Sequence, residues 1–165
     1  FPLSYASQRP LSAQWTVTGS GAFIIGNRKS RVKITGITIG KIVDYGLHDS
    51  QNMGACMAPA AADVIFQALE DLECKPDDFD KIITGDLGKV GSEILIKLLK
   101  DNKIDISKQH MDCGVKIFDC EAQDTHSGGS GCGCSAVTLA GYIIINLFHH
   151  RLCGVSKINV NQASY

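Results

Sequence analysis

Apolar residues change their spacing several times along the 165-residue chain, and each change marks an element. Residues 17–26, VTGSGAFIIG, read as a strand with a glycine-rich start, and residues 31–44 alternate over Val32, Ile34, Ile37 and Ile39. Two β-rich runs joined through residues 27–30 predict a hairpin. Residues 45–54 are polar and read as a loop. Helical spacing then takes over: Pro59 suits a first turn, Val64, Ile65, Leu69 and Leu72 share a face, and Glu70, Asp71 and Glu73 face water. After a turn at residues 75–80, KIITGD is a short buried strand ending at Gly85 and Asp86. Ser92 and Glu93 open a second helix carrying Ile94, Leu95, Leu98 and Leu99, which ends at Asn102. Residues 112–119 read as another strand, residues 125–134 (THSGGSGCGC) as a loop, and residues 135–148 as a buried helix. A last strand, KINVN, begins near Lys157.

Strands alternating with helices predict an α/β fold, with a largely parallel or mixed sheet and helices on its faces. The length suits one compact domain. The longest apolar run, residues 135–148, is shorter than the ~20 residues a membrane-spanning helix needs. Residues 1–16 carry Pro2 and Pro10 without a period and read as a linker or loop cut from a longer chain. The first residue is Phe1, and no signal-peptide pattern follows it.

Charge narrows the partners. Sixteen Lys and Arg stand against 17 Asp and Glu, with no basic stripe, so nucleic acid is not an expected partner. The 7 cysteines, Cys56, Cys74, Cys113, Cys120, Cys132, Cys134 and Cys153, are odd in number and irregularly spaced. That argues for reduced thiols, most of them in the core, rather than a disulfide framework.

The glycine loop carries the most chemistry. Glycines bring backbone N–H groups close to a ligand, and the helix that follows favours negative charge at its start. His126, Gly128, Gly129, Ser130, Gly131 and Cys132 are therefore ligand-binding candidates. The alternative is a tight turn where strand and helix backbones pack closely. GSGAF at residues 19–23 lacks the third glycine of a dinucleotide fingerprint, and GDLGKVGS at residues 85–92 has Val90 where a phosphate loop needs Ser or Thr. Cys132 and Cys134 are spaced too closely for a zinc pair, even with Cys113, Cys120 and His126 near in sequence, and no metal is expected. His48, His110, His149 and His150 read as loop or surface residues, and Asp77, Asp78 and Asp80 as a solvated turn.

Several segments occur together in one order: WTVTGSGAFIIG at 15–26, GKIVDYGLHD at 40–49, MGACMAPAAAD at 53–63, PDDFDKIITGDLGKVGS at 76–92, DCGVKIF at 112–118 and GGSGCGCSAV at 128–137. In this the chain resembles the SpoVAD family of spore-forming bacteria, within the thiolase-like superfamily. The resemblance implies a layered α/β architecture of two similar halves. Residues 17–44 would be the closing hairpin of the first half, and residues 45–165 most of the second, departing from the family pattern at the end. It also implies an absent nucleophilic cysteine, which belongs to the first half. The place of an activating histidine falls at Gly85 and Asp86, so Asp86 joins the ligand-binding candidates and no catalytic residue is assigned.

The family's implied role is non-catalytic binding of dipicolinic acid, pyridine-2,6-dicarboxylate, for uptake into the developing spore. It implies no cofactor. The implied partners are dipicolinate, including its calcium chelate, other SpoVA proteins at the spore inner membrane, where this intracellular chain would be peripheral, and a second copy through the thiolase-like sheet. Two rivals stay open. The H-S-G-G-S-G run at residues 126–131 resembles a catalytic histidine loop of condensing enzymes, which would make the parent an acyl-thioester enzyme. A structural scaffold with a vestigial pocket is the other.

Overall fold

The computed structural model describes residues 9–148 and 158–161; His149, His150, Cys153 and Lys157 lie outside them. The central strand, β2 (Lys81–Thr84), lies between β3 (His110–Asp112) and β5 (Ile158–Asn161), and both pairings are parallel. A short parallel ladder joins β1 (Trp15–Thr16) to β4 (Gly129–Ser130). All described pairings are thus parallel, within an α/β arrangement.

Ile82, Ile83 and Thr84 are buried, as expected of a parallel strand covered on both faces. Their side chains alternate between two cores. Ile82 joins Met57, Ile65, Leu69, Leu95 and Leu99 from α1 (Met53–Asp71) and α2 (Gly88–Asp101). Ile83 joins Val17, Cys113, Cys134 and Ile143. Cys113, Cys134 and Ile143 belong to α3 (Cys113–Ile117), α4 (Cys134–Thr138) and a following π-helical turn (Leu139–Ile143), which continues into α5 (Ile144–Phe148).

The predicted helices exist but start earlier. α1 begins at Met53, because the Asn52 side chain accepts the Ala55 N–H at 3.1 Å and caps it; Pro59 lies inside the helix. α2 begins at Gly88 rather than Ser92. Its first turn has no cap of its own and is closed by groups distant in sequence. The predicted strand over residues 112–119 is instead the end of β3 followed by α3. The Asp112 carboxylate accepts the Val115 N–H at 3.1 Å, and that cap turns an apolar run of ambiguous period into a helix. The helix predicted over residues 135–148 is present, interrupted by the π turn after Thr138 returns its hydroxyl to the Cys134 carbonyl at 2.9 Å.

The predicted hairpin over residues 17–44 is not formed. These residues run without ladder pairing, on two different supports. Gly19 and Gly21 lie against Val137 and Ala136 of α4, while Gly36 and Gly40 lie against Leu72 and Val64, with Lys41 ion-paired to Asp63 at 3.0 Å. Ile24, Ile25, Ile34, Ile37, Ile39 and Ile42 are left exposed. A strand needs a neighbour for its backbone hydrogen bonds, and past Val17, whose N–H reaches the Ser130 carbonyl, neither arm pairs with a strand among the described residues.

The two long helices cross on glycine. A methyl group added to Gly54 would lie 2.9 Å from the Gly91 nitrogen, and one added to Gly91 would lie 2.8 Å from the Gly54 Cα. In the full-length protein, Gly54→Ala is expected to lower stability by about 1–3 kcal/mol, since backbone must move to admit it. Gly141→Ala meets nothing within 4 Å and is expected to be neutral or to stabilise by about 0.5–1 kcal/mol. Chemical denaturation of the two variants checks both; equal effects would remove the glycine crossing as a constraint.

Candidate functional site

The glycine loop crosses the C-terminal end of β2, and most of its polar groups are already engaged. Ser127 accepts from α2: Lys89 N–H reaches its carbonyl at 2.8 Å, and Val90 N–H its hydroxyl at 3.2 Å. Gly128 accepts the Trp15 N–H at 2.9 Å, and Ser130 accepts the Val17 N–H at 2.8 Å. The Gln14 amide bridges the carbonyls of Asp86 at 2.8 Å and Gly129 at 3.0 Å, tying the loop to the β2 end. Gly128 and Gly129 press on Gly114 of α3 so closely that a Cβ on any of the three would strike backbone or packed side chains. Gly128 also has φ +111°, a region that favours glycine.

One polar cluster on this loop points at a carboxylate. The Asp86 Oδ2 accepts the Gly131 N–H at 3.0 Å and the Ser130 hydroxyl at 3.3 Å. Burial pushes the Asp86 carboxyl above the usual range; the Gly131 N–H draws it down, and the nearby Asp112 charge raises it again. Asp86, Ser130 and Gly131 are therefore the candidates that the fold brings together. Cys132 is exposed at the rim.

His126 is employed elsewhere. At φ +52°, its Nδ1 lies 2.8 Å from the Pro10 carbonyl and its Nε2 lies 3.1 Å from the Asp124 carboxylate. Arg9 also binds Asp124, at 2.9 Å. The imidazole thus fastens the N-terminal segment to the loop. Cys113 and Cys134 are buried, and burial pushes each thiol up to about 12, with Asp112 adding to the effect. Of the other described cysteines, Cys56 is exposed and Cys74 and Cys120 are half-buried, so the core holds fewer than their composition suggested; all six are free. Among the described residues, no three His, Cys, Asp or Glu side chains converge as metal ligands. Nor is any described helix long and apolar enough to cross a membrane.

Residues that sequence reasoning passed over hold this region together. Asp112 is buried and accepts four hydrogen bonds: Thr84 hydroxyl at 2.7 Å, Leu87 N–H at 3.0 Å, Gly88 N–H at 3.0 Å and Val115 N–H at 3.1 Å. Burial raises its pKa, and these bonds lower it. The only signal in the sequence was an Asp standing where a helix cap can stand; Gln14 and Thr84 gave none. His110, expected on a loop or at the surface, sits on β3 with its Nε2 3.0 Å from the Thr84 Oγ1. Because the Thr84 proton goes to Asp112, His110 donates through Nε2–H. Burial pushes its pKa down to about 4.

Comparison with known proteins adds the following. A family model described as Stage V sporulation protein AD (SpoVAD) matches residues 1–159. "Stage V sporulation protein AD" of Bacillus subtilis (strain 168) is 43% identical over 152 residues, which are 92% of this chain and 45% of that relative. The chain thus spans less than half the length of the curated relative it matches.

The half-buried His110 imidazole sets a pH dependence. His110 takes up a proton near 6.5 when unfolded but only near 4 when folded. Its contribution is present above pH 6.5 and is lost as pH falls toward 4, by roughly 2–3 kcal/mol. Asp86 and Asp112, with raised values, act in the opposite sense on acidification. Comparing the unfolding free energy of the full-length protein with its His110→Gln variant from pH 7 to 4 isolates the histidine. The variant is expected to lose less stability; parallel curves would contradict an imidazole held neutral by its surroundings.

Proposed function

This chain belongs to the stage V sporulation protein AD family, and on that premise we propose that its full-length protein acts in sporulation by binding pyridine-2,6-dicarboxylate without transforming it, for uptake into the spore. The observation that carries the reading is the convergence of Gly131 N–H and Ser130 O–H on the Asp86 carboxylate. Donors that recognise one carboxylate suit another, of a ligand. One ligand carboxylate beside an ionised Asp86 would be opposed by about 4 kcal/mol at 4 Å in a semi-polar site. The raised pKa of Asp86 offers a way round this. Once protonated, its carboxyl donates a hydrogen bond to the ligand and frees the loop donors.

Binding rather than catalysis is supported by the state of the reactive groups. Both ring nitrogens of His126 face oxygen partners, and the Cys113 and Cys134 thiols are held protonated. The same reading places the chain as the second half of a thiolase-like architecture, with residues 17–44 closing the first. The unpaired apolar arms and the greater length of the relative support it. The partners that belong to it are a second copy through the sheet, other SpoVA proteins at the face of the spore inner membrane, and the ligand free or as its calcium chelate.

Calorimetric titration of the full-length protein with dipicolinate tests the reading. Affinity is expected to rise as pH falls toward the raised Asp86 pKa. Asp86→Asn is expected to bind at least as tightly and to flatten that dependence, while Ser130→Ala weakens binding by about 3–10-fold. No heat of binding from the wild-type protein would sink the proposal. An acyl group trapped on a cysteine of the full-length protein after incubation with acyl-coenzyme A would replace it with the condensing-enzyme reading. Neither glycine is a clean probe: Gly129 is packed against Val17, Ile117 and Phe118, and Gly131, though it faces more open space, has φ +105°, where a side chain is strained.

A further inference from the structure

Asp86 stands in a turn whose two ends are tied to a single side chain. Thr84 precedes Asp86, Leu87 and Gly88 follow it, and all three donate to the carboxylate of Asp112. The other wall of the site depends on the same group. Asp112 caps α3 through the Val115 N–H, and that helix holds Gly114 against the backbone of Gly128 and Gly129. Behind Asp112, His110 donates to Thr84 and fixes the direction in which the threonine hydroxyl gives its proton.

We propose that Asp112 is the positioning residue of the dicarboxylate site: it touches no loop donor itself, and it fixes Asp86 opposite Ser130 and Gly131. A carboxylate suits this post because all four of its partners are donors. An amide presents one acceptor oxygen and an NH₂ group that cannot accept from the Leu87 N–H. Asp112 is buried, so a donor released from it has no ready replacement in water. A shift of the turn by a fraction of an ångström then opens the Asp86 contact.

The proposal rests on the dicarboxylate reading for only one of its readouts. In the full-length protein, Asp112→Asn is expected to speed amide exchange at Leu87, Gly88 and Gly131 by about tenfold or more. It also removes a negative charge facing Asp86. The other titratable groups facing it, the Cys113 and Cys134 thiols, stay neutral below about 12; the Gly131 N–H lowers Asp86 by more than the Asp112 charge raises it, so once that contact opens Asp86 is expected to titrate at higher pH by carboxyl NMR. Dipicolinate affinity is expected to fall about tenfold. Thr84→Val, which removes one of the four bonds, is expected to move exchange and affinity in the same direction by about threefold, and carries the test if Asp112→Asn does not fold. Gly131 exchange and Asp86 titration unchanged in the folded variants would overturn the assignment. Absence of wild-type dipicolinate binding would remove the functional reading, while exchange and titration still decide the positioning role.

Discussion

The described core turns on a carboxylate buried at the start of a helix. α2 opens at Gly88 without a side-chain cap of its own, and a helix start leaves backbone N–H groups without partners. Asp112 takes those of Leu87 and Gly88; Ser127 takes those of Lys89 and Val90. Positive charge at a helix start and negative charge on Asp112 favour each other. Burying a carboxylate is costly, and four hydrogen bonds offset that cost. The Asp112 contacts join β2, β3, α2 and α3, so one group coordinates several elements, and Ser127 adds the glycine loop.

This arrangement gives the glycine loop two duties. It packs strand, helix and loop backbones at distances that leave no room for a Cβ, as the Gly114, Gly128 and Gly129 contacts require. It also presents Gly131 N–H and Ser130 O–H to a carboxylate beside the β2 end. The tight-turn and ligand-loop readings are therefore complementary. Packing fixes residues 127–129, and the residues beyond them keep the donors a ligand can address.

Helices and strands differ in what they need from the rest of a protein. Beyond their first turns, α1 and α2 satisfy their own backbones, and they bury their apolar faces on β2. The arms over residues 17–44 have strand-like sequences, yet their hydrogen-bonding partners would have to come from a neighbouring strand. They lie instead on α4 and α1 through small contacts at glycine, with their isoleucines turned outward. A family relative of more than twice the matched length is consistent with a partner supplied by sequence beyond this chain.

Local pattern alone determined the α/β class, the two long helices, the buried β2 strand, the glycine loop and the helix after it, because period and turn residues report on burial and backbone freedom directly. The segment motifs determined the family. Tertiary structure decided the remainder. Whether residues 113–117 form strand or helix depended on the Asp112 cap, where α2 begins depended on acceptors about 25 and 40 residues away, and His110 became a half-buried donor to Thr84 only when β3 met β2. Of the site candidates, the fold gathered Asp86 with Ser130 and Gly131 and sent His126 to Pro10 and Asp124. Residue type states what a group can donate or accept, whereas only the packed chain fixes which partner stands within reach.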